Sequence, residues 1–112
     1  MEVRAVAKDT GISPQKVRLL VDMVRGKKVD EALAMLRLTK TPSARVVAKT
    51  VKSAAANAEN NFQMSPSDLK IAKIFADEAP TLKRYRARAR GVPSHILKRS
   101  SHITVIVTEQ EA

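Results

Sequence analysis

The segment Pro80–Ser101, PTLKRYRARARGVPSHILKRSS, decides how this chain is read. Gly91-Val92-Pro93-Ser94 near its middle is turn-forming, and strand-like sequence lies on either side, so the segment reads as a long antiparallel hairpin. About eleven residues per arm, at about 3.3 Å each, reach roughly 36 Å, farther than a domain of this size is wide. Arg84, Arg86, Arg88 and Arg90 recur every second residue, which in a strand sets four guanidinium groups on one face. The arms have little apolar content, an isolated two-stranded ribbon is marginal in water, and a row of like charges weakens it further. Such a ribbon makes physical sense when something anionic lies along it. The charge distribution agrees: residues 80–108 hold seven basic and no acidic side chains, whereas residues 1–79 hold fourteen basic and nine acidic ones.

Working outward, His102 to Thr108 is rich in Ile, Val and Thr and is the clearest strand in the chain. On the other side, Leu69 to Ala76 reads as a strand with a fault. Leu69, Ile71 and Phe75 share one face while Ile74 falls on the other, so either a bulge resets the register or both faces are covered. A third strand is expected at residues 2–8, where Val3, Ala5 and Ala7 alternate with Arg4 and Lys8. Three helices fill the interval between. The first has Ser13 as N-cap, Pro14 at its first position, an apolar stripe of Val17, Leu20, Val21 and Val24, and Gly26 as its stop. The second opens with Val29 as staple and Asp30 as cap, with Ala32, Leu33, Met35 and Leu36 facing inward. The third runs from about Thr41-Pro42 to Asn61 with Val47, Val51, Ala54, Ala55 and Ala58 on its apolar side. The small residues Ser53 to Ala58 suit either tight helix-on-sheet packing or close approach of an RNA backbone.

The chain has 112 residues, which fits one domain, 1–112, and a net charge of +10 that points to a polyanionic partner. It has no cysteine, which excludes disulfides, thiolate metal sites and a cysteine nucleophile. No apolar run is long enough to span a bilayer, and Met1 to Asp9 has no signal-peptide core. No catalytic constellation is present: His95 and His102 have no carboxylate neighbours in their stretch, Asp77 and Glu78 point to opposite strand faces, and no phosphate-cradling glycine loop exists. No cofactor or metal is expected. Phe62 and Phe75 read as core residues, which leaves too few rings for a base-stacking platform. Tyr85 either stacks on a base or packs at the ribbon root. Ser13 to Leu38 makes a poor DNA-reading helix-turn-helix because its connection is Gly-Lys-Lys and Asn or Gln readers are sparse.

Several runs carry a resemblance: Ser13-Pro14-Gln15-Lys16-Val17-Arg18-Leu19, Arg25-Gly26-Lys27-Lys28, Ser53-Ala54-Ala55-Ala56-Asn57-Ala58-Glu59-Asn60, Asp77-Glu78, Leu82-Lys83-Arg84 and Lys98-Arg99-Ser100-Ser101-His102-Ile103-Thr104. Together, and collinearly from residue 2 to about 108, they resemble the family of bacterial large-subunit ribosomal protein twenty-two. The resemblance implies an α+β fold: three helices packed on a small three-stranded antiparallel sheet, with residues 80–101 protruding as a long β-hairpin. It also implies a structural role in the cytoplasmic ribosome, binding large-subunit rRNA during assembly and lining the polypeptide exit tunnel, near where macrolide-type drugs lodge. The expected partners are rRNA, neighbouring ribosomal proteins and the nascent polypeptide, with no membrane and no homo-oligomer. Where the family usually has Gly before the proline of the hairpin root, this chain has Ala79. It has Ala87 where Pro is common, and Val92-Pro93 where Arg-Ala usually follows the tip glycine.

The candidate rRNA-binding residues are Lys16, Arg18, Arg25, Lys27, Lys28, Lys83, Arg84, Tyr85, Arg86, Arg88, Arg90, Lys98, Arg99 and His102. The candidate tunnel-lining tip is Arg88, Ala89, Arg90, Gly91, Val92, Pro93 and Ser94. The runner-up function is a free nucleoid-type or regulatory DNA-binding protein, which would have to dimerise and order its ribbon without RNA.

Overall fold

The computed structural model of the chain describes residues 2–65, 68–87, 91 and 93–109. It has the expected α+β architecture, with elements in the order β1 (Glu2–Ala7), α1 (Pro14–Val24), α2 (Val29–Leu38), α3 (Pro42–Phe62), β2 (Leu69–Ala87) and β3 (Pro93–Glu109). The strands form one antiparallel sheet in the order β1-β3-β2, so the Ile- and Val-rich β3 takes the centre. Its Ile103, Val105 and Val107 are fully buried beneath the helices. β1 pairs with β3 from Glu2↔Thr108 to Ala7↔Ile103, and its inward Val3 and Ala5 join the same core. From the helices come Val17, Val21 and Val24, then Ala32 and Leu36, then Val47, Val51, Ala54 and Ala58.

The irregular strand is settled by a bulge. Ile71 pairs with Val107 and Lys73 with Ile106, consecutive residues of β3, so Ala72 is the extra residue. Insertion of one residue flips the alternation, which carries Ile74 and Ala76 to the face of Leu69 and Ile71 and turns Phe75 outward. Phe75 is 39% exposed and Phe62, the last residue of α3, is 46% exposed, so neither belongs to the core as their aromaticity suggested. Without Ala72 the sequence would alternate correctly by itself. Deleting Ala72 is therefore expected to leave a folded protein with the same core, whereas Ile74→Ala should cost about 2–5 kcal/mol. Thermal unfolding of the two variants measures the difference, and equal losses would mean that the bulge is itself structurally required.

β2 and β3 stay paired beyond the point where β1 ends. A second irregularity lies between Ala79↔Ser100 and Leu82↔Lys98, where Pro80 and Thr81 oppose Arg99 alone. Pro80 has no N–H to give to the ladder, and a bulge accommodates it. From there the register is regular from Leu82↔Lys98 to Ala87↔Pro93, with Arg84 opposite Ile96 and Arg86 opposite Ser94. Gly91 has φ +69, the left-handed backbone that a tight connection uses. The tip residues Arg88, Ala89, Arg90 and Val92 lie outside the described residues.

Two helix starts differ in detail from expectation. Ser13 occupies the N-cap of α1 but caps through its backbone carbonyl, which accepts from Lys16 and Val17, and its hydroxyl makes no capping bond. α2 begins at Val29 with Lys28 as N-cap, so Asp30 is not the cap but a first-turn acid, favourable there against the helix dipole. α3 starts as read, with the Thr41 hydroxyl accepting from the Ala44 N–H. Within the small-residue run, Ala54 and Ala58 are completely buried and Ser53 and Ala56 exposed, so close packing explains the first pair.

Candidate nucleic-acid interface

Arg18 and Arg25 stand on the α1 side that meets β2, which is an edge strand. The Arg18 Nε donates to the Ala76 carbonyl at 3.2 Å. The Arg25 guanidinium donates to the Ile74 carbonyl at 3.0 Å and to the Asp22 carboxylate at 2.8 Å. A sheet edge presents unpaired carbonyls, and here two cationic side chains occupy them. Farther along the same edge, Ile71 donates its N–H to the Lys27 carbonyl at 2.9 Å, and Lys28 forms an isolated bridge with Lys70. The Arg25-Gly26-Lys27-Lys28 run is thus an edge cover as well as a basic patch, with Gly26 at φ +79 turning the chain back onto β2.

The first basic locus lies at the ribbon root. Arg18 and Arg99 line one hollow of about 860 Å³ together with Ser13, Gln15, Glu78 and Thr81. Lys16, Lys98 and Arg99 are exposed. No metal-binding cluster of His, Cys, Asp and Glu occurs among the described residues. No helix among them is long and apolar enough to cross a membrane.

His102 also has a structural contact. Its Nδ1 accepts the Asp9 N–H at 3.1 Å. Next to it the Ser101 hydroxyl shares a 2.8 Å hydrogen bond with Thr10, and the Ser100 hydroxyl accepts the Gly11 N–H at 2.9 Å. The Ser100-Ser101-His102 run is therefore a docking strip that pins the loop between β1 and α1 onto β3. His102 is half-buried in that lock.

A second basic locus, made of residues that the sequence pattern alone does not bring together, lies between the end of α2 and the first half of α3. A cleft of about 740 Å³ there is lined by Arg37, Lys40, Arg45, Lys49 and Lys52 over a floor that includes Leu33, Leu36, Ala44 and Ala48. Residues 32–58 contain those five cations and no acid, a signal that counting charge in shorter windows would have found.

With this geometry in view, comparison with known proteins is decisive. The family model of ribosomal protein L22p/L17e matches residues 5–108. The chain belongs to this family. The large ribosomal subunit protein uL22 of Dehalococcoides mccartyi strain 195 is 68% identical over 109 residues, which is 97% of this chain and 100% of that protein. The proteins of the same name from strains BAV1 and CBDB1 are 66% identical over the same length. Membership in the L22p/L17e family makes the chain a structural constituent of the cytoplasmic ribosome.

For this L22p/L17e member the predicted basic residues divide into two kinds. Lys16, Lys98 and Arg99 are exposed, Lys16 on α1 and Lys98 and Arg99 on β3 at the ribbon root, where Arg99 lines the hollow. Arg18 and Arg25, also exposed, are in addition bonded to the carbonyls of β2. Replacing Arg25 with alanine should cost about 1 kcal/mol, a fall in Tm of roughly 4–8 °C. Arg25→Lys should recover only part of it, because one ammonium cannot reach two acceptors with a fork's geometry. Thermal unfolding without RNA measures both, and an unchanged Tm for Arg25→Ala would reduce the two contacts to solvent-equivalent ones.

Proposed function

We propose that the chain is built into the large ribosomal subunit, where it binds 23S-type rRNA, aids its assembly and lines the polypeptide exit tunnel with its hairpin. The observation that carries this reading is the continuation of β2 and β3 past the three-stranded sheet, in a segment, 80–108, with seven cations and no acid. A charged two-stranded arm gains little from its own contacts and much from a polyanion beside it. Basic side chains displace counterions from crowded phosphates, and the regular backbone of the arm sets their spacing. The hairpin, residues 80–101, leaves the body of the single domain at the Pro80 bulge, and its tip, Arg88 to Ser94, faces the nascent polypeptide. Lys83, Arg84, Tyr85 and Arg86 run along the arm, and the root is held by Lys16, Lys98 and Arg99. The names of its relatives support the large-subunit assignment.

Sedimentation of native ribosomes tests the placement. The protein should stay with large subunits through a moderate-salt wash, and recovery in the ribosome-free fraction would overturn it. For the isolated protein, roughly six neutralised phosphates give a log–log salt slope of rRNA affinity of about −4 to −5.

A further inference from the structure

We infer that the cleft between α2 and α3 is a second RNA-binding site, one that seats a stretch of sugar-phosphate backbone independently of the hairpin. This rests on the rRNA-binding reading above and adds a site to it. Arg45, Lys49 and Lys52 follow one another at intervals of four and three residues, which places them on one side of α3 about 6 and 4.5 Å apart along the axis. All three line the cleft, and Arg37 and Lys40 line it from the end of α2. The five cations are exposed, and among the described residues the ion pairs are Arg25–Asp22 and Lys27–Glu31, both elsewhere. Five like charges gathered around one hollow repel one another, and that arrangement is favourable only beside an anion.

The shape of the cleft selects the kind of anion. Its Thr41 hydroxyl is spent capping α3 and its Thr39 hydroxyl donates to the Met35 carbonyl, so neither is poised to recognise a small molecule. The lining is long, exposed Lys and Arg side chains around an aliphatic floor of Leu33, Leu36, Ala44 and Ala48, with no aromatic anchor to hold a peptide. A row of point charges along an open trough suits a polyelectrolyte, whose binding is driven by counterion release and needs no enclosed pocket. The trough also continues: Lys49 lines a neighbouring hollow of about 350 Å³ with Lys8 and Ser53, which carries the basic path toward β1.

The test uses the full-length protein carrying Arg45→Gln, Lys49→Gln and Lys52→Gln, changes at exposed positions that keep helix-forming residues. Its rRNA affinity is compared with that of the unaltered protein and of the hairpin variant Arg84→Ala, Arg86→Ala, Arg88→Ala across a salt series, with hydroxyl-radical footprinting on the same rRNA. The glutamine variant should flatten the salt slope by about two, lose roughly 100-fold in affinity at 0.1 M salt, and lose a footprint distinct from the one the hairpin variant loses. The charge-preserving variant Arg45→Lys, Lys49→Arg, Lys52→Arg should keep both slope and footprint. An unaltered slope and footprint in the glutamine variant would overturn the inference while the hairpin result stood. The same holds if rRNA binding were intact but the variant were lost from washed subunits, which would make the cleft a docking site for a neighbouring protein. Failure of the unaltered protein to bind rRNA at all would instead overturn the rRNA-binding reading itself.

Discussion

Replacing Arg84, Arg86 and Arg88 with alanine is expected to weaken rRNA binding by roughly 100-fold at 0.1 M salt and to flatten the log–log salt slope by about two to three. Each neutralised phosphate contributes a fixed increment to that slope, so the change counts contacts rather than only reporting a weaker complex. Folded stability should fall little. Among the residues whose burial is described, the core is assembled from α1, α2, α3 and the three-stranded part of the sheet, with Ile103, Val105 and Val107 at its centre. The measurement is a salt titration of binding together with a thermal melt. A slope equal to that of the unaltered protein would move the RNA footprint off the hairpin and onto the helices.

Deleting Ala87 to Arg90 should leave large subunits that assemble and translate, with an altered response to macrolide-type drugs or altered stalling on regulatory nascent peptides. The deletion shortens one arm next to Gly91 and Pro93. Because those two residues set the turn, by left-handed backbone at the first and a fixed φ at the second, the tip must re-form in a different register. The contacts that pin the body together are remote from it: the Asp9–Gly11 loop on Ser100-Ser101-His102, and the Arg18 and Arg25 contacts on β2. Drug sensitivity and stalling assays on purified mutant ribosomes measure the effect. If the deletion abolished assembly while surviving ribosomes responded normally to the drug, the tip would be an assembly element and not part of the tunnel wall.

The elements that could be read from the sequence are those in which local pattern and tertiary packing agree. Val17, Val21 and Val24 repeat at helical spacing between a proline start and a glycine stop, and all three are buried. Val3 and Ala5 alternate with exposed residues, and both face the helices. At β2 the sequence left two solutions open, because alternation alone does not say where an extra residue sits; pairing with β3 places it at Ala72. Residue type alone places Phe62 and Phe75 in the core, and the structure exposes both. A ring at a helix terminus and another just past a bulge both face outward for reasons of position.

Among the candidate site residues, Lys16, Lys98 and Arg99 are exposed where the reading put them, and the basic character of the hairpin needed only the sequence. What sequence could not give is the work of His102 and the two serines before it, because their partners, Asp9 to Gly11, lie about ninety residues away. In the sequence Arg18 and Arg25 are charges off an apolar stripe, and that description holds equally for an RNA ligand and for a clamp on an edge strand. The α2–α3 cleft was hidden by averaging: over residues 1–79 nine acids offset fourteen cations, although between residues 32 and 58 there is no acid at all.

The central claim is that the hairpin tip stands in the exit tunnel against rRNA and the nascent chain, and site-specific crosslinking tests it most directly. A photoreactive residue replacing Ser94, in ribosomes stalled with a labelled nascent polypeptide, should crosslink to that polypeptide and to 23S-type rRNA. Crosslinks confined to proteins on the outer surface of the subunit, with neither tunnel rRNA nor nascent chain captured, would contradict the account.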